Sequence, residues 1–346
     1  MKTCPVIVIG HVDHGKTSLV RALTGTDTDR LPEERARGLS ITAGYAWLQC
    51  GEVMIDLIDA PGHEKFIPAM VAGASGAACA LLVVSAAEGV RAQTLEHLEV
   101  ACALGIGDGI VAVTKADLVP GAEHARIEAE LRGTLAATRF QDAPVIFCSS
   151  VTGKGLGDLQ GAFTRLAAGP VRPVSPSAAF LAVDRVFVAD GHGTVVTGTL
   201  LGAPLKPDDP LVLSPAGQPA VIRAIQVRGQ AVPEAQPGER TALNLRGVAA
   251  GAVKRGDVVH LRNAFSSGLH CDVLIEMSGR ASRPIRHMEE IRVLIGTAQA
   301  TGTLRLLAAR QVGPGEAGLA QIRFAAPVTA FAGQRAILGR ATRDFL

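Results

Sequence analysis

The run Val6-Ile7-Val8-Ile9-Gly10-His11-Val12-Asp13-His14-Gly15-Lys16-Thr17-Ser18-Leu19-Val20 decides how this chain folds. Four consecutive apolar residues read as a buried strand, and the helix-forming stretch Lys16–Gly25 follows a glycine loop. Gly10 to Thr17 matches G-x-x-x-x-G-K-[ST], placed between strand and helix as that motif requires. Its glycines let backbone N–H groups from Gly10, His11, Val12, Asp13, His14 and Gly15 close around phosphate oxygens. Lys16 supplies a point charge for the β- and γ-phosphates, and Thr17 a hydroxyl for Mg²⁺. His11 and His14 are read as shaping the loop.

Outward from this loop the pattern repeats. Val6–Ile9, 53–58, 80–84, 110–113 and 145–148 read as apolar strands. The stretches 92–104, 122–137 and 156–167 read as the helices between them. Apolar strands alternating with helices imply a mostly parallel, doubly wound sheet covered on both faces. The breaker-rich segment 169–176 reads as a linker. Beyond it, short runs at 181–188, 194–201, 211–213, 221–227, 241–245 and 258–260 are spaced by Gly, Pro and Asp, the signature of a β-barrel. A second all-β set occupies 271–277, 291–298, 302–307 and 317–324. The expected division is 1–170, a linker at 171–177, a barrel at 178–263 and a second barrel at 264–346.

Composition narrows the function. The longest apolar stretch, 77–87, falls well short of the roughly 20 residues of a membrane span. The opening MKTCPVIVIG has no leader-like pattern, and six scattered cysteines without a C-x-x-C pair fit a reducing cytoplasm. With one Trp and one Tyr, stacking single-stranded bases on aromatic platforms is disfavoured. Residues 1–175 carry 15 Lys and Arg against 19 Asp and Glu, and residues 176–346 carry 19 against 13. That basic second half suits a polyanion partner, although a genome that writes Arg for Lys would give the same excess.

Further motifs fall at strand ends in the order a GTPase requires. Asp59-Ala60-Pro61-Gly62 is D-x-x-G: Asp59 reaches Mg²⁺ through water, and the Gly62 N–H senses the γ-phosphate. Thr114-Lys115-Ala116-Asp117 is a variant of N-K-x-D. Asp117 can accept both guanine N1–H and N2–H₂, a donor pair adenine lacks. Lys115 can lie against the base, and Thr114, which replaces a bidentate amide, is counted with them as a nucleotide contact. Cys148-Ser149-Ser150 supplies a final base-contacting turn at Ser149 and Ser150. Four such elements at the carboxyl ends of strands mark one nucleotide site. His63, directly after the D-x-x-G glycine, is the candidate catalytic residue, positioning the attacking water.

At these residues the chain resembles the translational GTPases of the elongation factor Tu type. Asp29–Ile41, followed by Gly44-Tyr45-Ala46-Trp47, looks like switch I of the selenocysteine-specific elongation factors. The segments 61–66 and 114–117 agree with that branch, as do 181–185 and 193–199 in the second domain. The resemblance implies an α/β P-loop GTPase domain followed by two all-β barrels. It implies GTP or GDP with Mg²⁺ ligated by Thr17, Ser40 and Asp59, where Ser40 stands for the family's Thr. Val12 and Leu39 would form an apolar gate before His63. The implied function is cytoplasmic delivery of selenocysteyl-tRNA to the ribosome, with release on ribosome-stimulated GTP hydrolysis and no membrane involvement. Fixed cations on the first barrel, Arg185 oriented by Asp184 together with Arg223, would read the selenolate; an ordinary surface ion pair is the competing account. Bacterial members carry a winged-helix region that reads an mRNA hairpin; a truncated chain, a short form with a separate hairpin-binding domain or protein, and a divergent paralogue are the three accounts left open here. The alternatives are elongation factor Tu itself, an initiation-factor gamma subunit, a GTPase paralogue without tRNA delivery, and the GTPase subunit of a sulfate-activating enzyme.

Overall fold

The structure, a computed structural model, describes residues 2–29, 32–37, 40–169, 175–189, 193–249 and 251–340. The first unit is built from β1 (Lys2–Gly10), α1 (Lys16–Thr24), α2 (Pro32–Arg37), β2 (Gly44–Cys50), β3 (Val53–Asp59), α3 (Ile67–Ala74), β4 (Cys79–Ser85), α4 (Ala92–Ala103), β5 (Gly109–Thr114), α5 (His124–Leu135), β6 (Val145–Phe147) and α6 (Leu156–Ala168). Its strands line up as β2-β3-β1-β4-β5-β6. All neighbours are parallel except β2, which runs antiparallel to β3 on the edge. Val6, Ile7, Val8 and Ile9 are all fully buried because β1 lies mid-sheet with helices on both faces. Ile7 and Ile9 pack with Met70, Leu98 and Leu131 of α3, α4 and α5. Val6 and Val8 pack with Leu19 of α1 and Phe163 of α6 on the other face.

The second unit comprises β7 (Phe180–Ala182), β8 (Arg185–Ala189), β9 (Gly193–Leu201), β10 (Pro210–Ser214), β11 (Gln218–Val227), β12 (Gln230–Val232), β13 (Arg240–Arg246) and β14 (Val258–Leu261). Their order is β10-β14-β7-β9-β13-β11, and pairing of β10 with β11 closes a six-stranded antiparallel barrel. The run 181–188, expected as one strand, is two. Between them Val183 N–H bonds to Asp257 and Asp184 N–H to Thr197.

The third unit is all-β as well: β15 (Ser267–Glu276), β16 (Ile285–Arg286), β17 (Glu289–Ile295), β18 (Ala298–Leu306), β19 (Gln311–Val312), β20 (Ala317–Thr329) and β21 (Ala336–Arg340). Five of them form the sheet β15-β20-β18-β17-β21, and β16 pairs β19. All surround one core that includes Ile291, Leu304 and Ile322. The apolar run 291–298 is broken by Gly296, whose φ of 56° makes the turn between β17 and β18.

Polar clamps join the units. Arg228, in a turn with φ 53°, forks onto Asp56 of β3 through Nε (2.8 Å) and Nη2 (3.0 Å) and also reaches Glu239 (3.3 Å). Leu294 of β17, 2% exposed, belongs to the same apolar cluster as α3 and the first sheet, and Ile337 of β21 packs on it.

Candidate functional site

The phosphate loop hangs between β1 and α1. Gly10 sits at φ 143°, and a Cβ there would lie 2.2 Å from the Val83 carbonyl oxygen on β4, so only glycine permits this approach. Asp13 (φ 61°) and Gly15 (φ 83°) complete the turn. Lys16 folds its ammonium back into the loop, donating to the carbonyls of Gly10 (3.0 Å) and His11 (2.8 Å). Burial lowers its pKa to about 8. Gly62 faces it: a Cβ there would come within 2.5 Å of Lys16 Nζ.

Three side chains expected around Mg²⁺ meet beside the loop. Thr17 Oγ1 donates to Asp59 Oδ2 at 2.8 Å and lies 3.3 Å from Ser40 Oγ. Thr28 donates to the same Asp59 oxygen at 2.6 Å, and Ser40 donates to Asp29 at 2.7 Å. Asp59 Oδ1 is buried with no hydrogen-bond partner among the described residues, and burial raises the pKa of the carboxyl. Hydroxyl and carboxylate oxygens around an orphaned carboxylate oxygen are the hard donors Mg²⁺ takes when a nucleotide supplies the remainder. The described residues hold no group of three or more His, Cys, Asp or Glu that could bind a metal alone, and such a site does not need one. Buried Glu34 holds the segment after Ser40, its Oε1 accepting from the N–H groups of Ile41 and Thr42 at 3.0 Å each.

His63 is half-buried, and its Nδ1 accepts the Lys65 N–H at 3.2 Å. Val12 stands over Gly62, its Cγ2 3.0 Å from where a Cβ would be. The other gate residue, Leu39, lies outside the described residues. His14 is fully buried behind the loop, and burial drops its pKa to about 4.

At the base-binding end, Thr114 is 2% exposed and turned away from solvent. Its Oγ1 donates to the His14 carbonyl at 2.6 Å and to Val84 at 3.3 Å. The expected base contact is therefore replaced by a tether between β5 and the phosphate loop. Lys115, at φ 55°, reaches Glu88 at 3.1 Å, while Asp117 is exposed. Ser149 is buried and its Oγ accepts from the N–H groups of Val151 (3.2 Å) and Thr152 (3.1 Å), which leaves Ser150 nearer the surface.

The expected pairing of Asp184 with Arg185 is absent. Asp184 instead accepts from Thr197 (2.6 Å), Tyr45 Oη (3.0 Å) and both terminal nitrogens of Arg240. Arg185 donates to the Ala43 carbonyl at 2.8 Å. The Tyr45 ring is flanked by two guanidiniums, with Arg240 Cζ 3.2 Å and Arg185 Cζ 5.4 Å from its centroid. Burial pushes the Tyr45 hydroxyl up to about 12. Arg223 is exposed on β11 at a bulge between Ile222 and Ala224. Arg240 was missed because its partner lies 56 residues away in sequence.

The model of the elongation factor Tu GTP binding domain matches residues 1–169. The selenocysteine-specific elongation factor of Desulfomicrobium baculatum is 40% identical over 96% of this chain and 53% of its own length. Elongation factor Tu 2 of Streptomyces avermitilis is 31% identical over 89% of this chain and 86% of its own length. A crystal structure of a bacterial selenocysteine-specific elongation factor superposes with a TM-score of 0.89 at 32% identity, covering 100% of this chain and 57% of that one. The chain thus spans about half the length of the selenocysteine-specific relatives it matches. With its P-loop, D-x-x-G and barrel in place, the chain belongs to the elongation factor Tu family of translational GTPases and is similar to its selenocysteine-specific members.

Proposed function

We propose that this protein binds selenocysteyl-tRNA in a GTP-dependent manner and delivers it to the ribosome, releasing it on hydrolysis. The observation that carries the reading is a short link. Ser40, beside Thr17 and Asp59, is five residues from Tyr45, which bonds Asp184 inside the Arg185–Arg240 cluster. In this reading an event at the nucleotide passes through residues 41–44 to Tyr45 at the start of β2 and so to the barrel, and GTP and tRNA strengthen each other's binding by the same factor.

In this reading Lys16 leaves the carbonyls of Gly10 and His11 for the β- and γ-phosphate oxygens, and the loop N–H groups other than those of Gly10 and Val12, which side chains of α4 hold, contact the same phosphates. Thr17, Ser40 and Asp59 hold Mg²⁺, which when bound neutralises charge on the phosphate oxygens. Asp117 selects guanine, with Lys115 along the base and Ser149 and Ser150 closing the turn. His63 orients the attacking water through Nε2, since Nδ1 is engaged by Lys65. Val12 and Leu39 shield that water until the ribosome acts. The three units act as domains 1–170, 178–263 and 264–346. The partners are selenocysteyl-tRNA and the ribosome, and the compartment is the cytoplasm.

A selenolate is an anion near neutral pH, whereas the seryl precursor is neutral. Charge-assisted hydrogen bonds contribute about 1.5–3 kcal/mol each. The Arg185–Arg240 cluster replaces the Arg185–Arg223 pair as the discriminating cation site. Filter binding of the GTP-loaded protein to selenocysteyl-tRNA, seryl-tRNA and bulk aminoacyl-tRNA tests the whole reading. Selenocysteyl-tRNA should bind tightest, and Arg185→Ala should cut that preference by roughly 10- to 100-fold. Equal binding of all three tRNAs would sink the assignment.

A further inference from the structure

Helix α4 touches the phosphate loop with two side chains that the nucleotide reading leaves unused. Gln93 and His97 stand four residues apart, one above the other on a single helix face. Gln93 Oε1 accepts the N–H of Val12 at 3.2 Å, and His97 Nδ1 accepts the N–H of Gly10 at 3.2 Å. His97 is fully buried, and burial holds its pKa at about 3, so the ring is a neutral acceptor. Its Nε2 has no partner among the described residues. An apolar side chain would fill the space without that orphaned polar atom; the imidazole adds the acceptor at Gly10.

The two anchored N–H groups lie in the first arm of the loop, ahead of Lys16 and Thr17. What they hold differs. Gly10 is the root of the loop, pressed so close to β4 that no side chain fits. Val12 bears on the D-x-x-G turn: a Cβ at Gly62 would lie 2.9 Å from Val12 N and 3.0 Å from Val12 Cγ2. Gly62 directly precedes His63. The Val12 peptide is thus held by Gln93 on one side while it covers Gly62 on the other.

We propose that Gln93 and His97 are positioning residues of GTP hydrolysis with separate tasks. His97 fixes the loop at Gly10 and sets how long the nucleotide stays. Gln93 fixes Val12 over Gly62 and sets how fast bound GTP is hydrolysed by the free protein. The inference rests on the nucleotide-site reading. Held Val12 keeps its isopropyl group before His63; released Val12 lets the imidazole and its water approach the phosphate.

The test compares the full chain with Gln93→Met and His97→Leu, which lose the acceptor, and with Gln93→Glu and His97→Asn, which keep an acceptor oxygen. Release of a fluorescent GDP analogue is read by stopped flow, and GTP hydrolysis by single turnover without ribosomes. Gln93→Met should hydrolyse GTP several-fold to about tenfold faster with GDP release within about twofold. His97→Leu should release GDP about tenfold faster with the single-turnover rate little changed. Gln93→Glu and His97→Asn should return most of the wild-type values. A Gln93→Met rate that is unchanged or lower overturns the Gln93 assignment, and unchanged GDP release in His97→Leu overturns that of His97. If either apolar variant does not fold, Gln93→Ala or His97→Ala takes its place, with the same expected changes and the same refuting results. A wild-type chain that retains no GDP analogue would instead refute the nucleotide reading itself.

Discussion

Removing one hydroxyl, that of Thr114, should loosen the nucleotide without touching any group that meets it. Thr114→Val keeps the branched shape and deletes only Oγ1, which donates to the His14 carbonyl at 2.6 Å. The site is 2% exposed, so water reaches that carbonyl only where the loop shifts. Leaving a buried acceptor short of its partner costs about 1–3 kcal/mol. In the nucleotide-free protein the loop can relax and hydrate that carbonyl; with phosphates bound it cannot. The cost therefore falls on affinity and amounts to roughly 5- to 150-fold in the GDP dissociation constant. Equilibrium titration with a fluorescent GDP analogue reads it directly. Thr114→Ser keeps the hydroxyl and should lose little. Thr114→Val affinity within twofold of wild type would refute the tether.

Asp117→Asn should shift preference from GTP towards xanthosine triphosphate, because the amide matches a carbonyl where guanine has its amino group; competition binding with both nucleotides checks this, and unchanged preference removes Asp117 from base recognition. His63→Ala should lower ribosome-stimulated hydrolysis by several orders of magnitude with GTP affinity within a few-fold; equal losses in both would make His63 structural. His14 and His97, held by burial at about 4 and about 3, protonate in the unfolded chain already near the ordinary 6.5. The unfolded state then binds more protons, so the stability is complete above about pH 6.5 and is lost as pH falls, by up to about 1.4 kcal/mol per pH unit for each ring. Urea midpoints between pH 7 and 4.5 should show this slope, shallower in His97→Gln; an identical slope there would exclude His97 as a source.

The nucleotide site was legible because it is local. Gly10 to Thr17 carries its own strand, loop and helix, and Asp59 closes a strand of continuous apolar residues. Edge strand β2 was not, because its first residues sit inside a segment with a motif reading of its own, although buried Ala46, Leu48 and Cys50 alternate with more exposed neighbours as a half-buried strand requires. Helix α3 was hidden because Ile67, Met70, Val71 and Ala74 are nearly all buried, so no polar face gives a helical period. The Asp184–Arg185 pairing failed because other groups claim both partners: the Ala43 carbonyl takes the Arg185 guanidinium, and Arg240 takes the Asp184 carboxylate. The true partner of Asp184, Arg240, comes from β13 and reaches it by barrel closure, which no spacing in the sequence encodes. His97 and Gln93 look from sequence like ordinary residues of a helix, because their partners are backbone N–H groups.

Leu294 and Ile337 have a consequence for how the molecule comes apart. They arrive from the far end of the chain yet lie in the apolar cluster that α3 shares with the first sheet. A core cannot be half dissolved: exposing Leu294 to water also uncovers the side of α3 that β17 meets. The first and third units should therefore melt in one cooperative heat-absorption peak, although their sheets share no hydrogen-bonded strand. A fragment that stops short of β15 would carry a bare apolar scar over α3 and tend to self-associate.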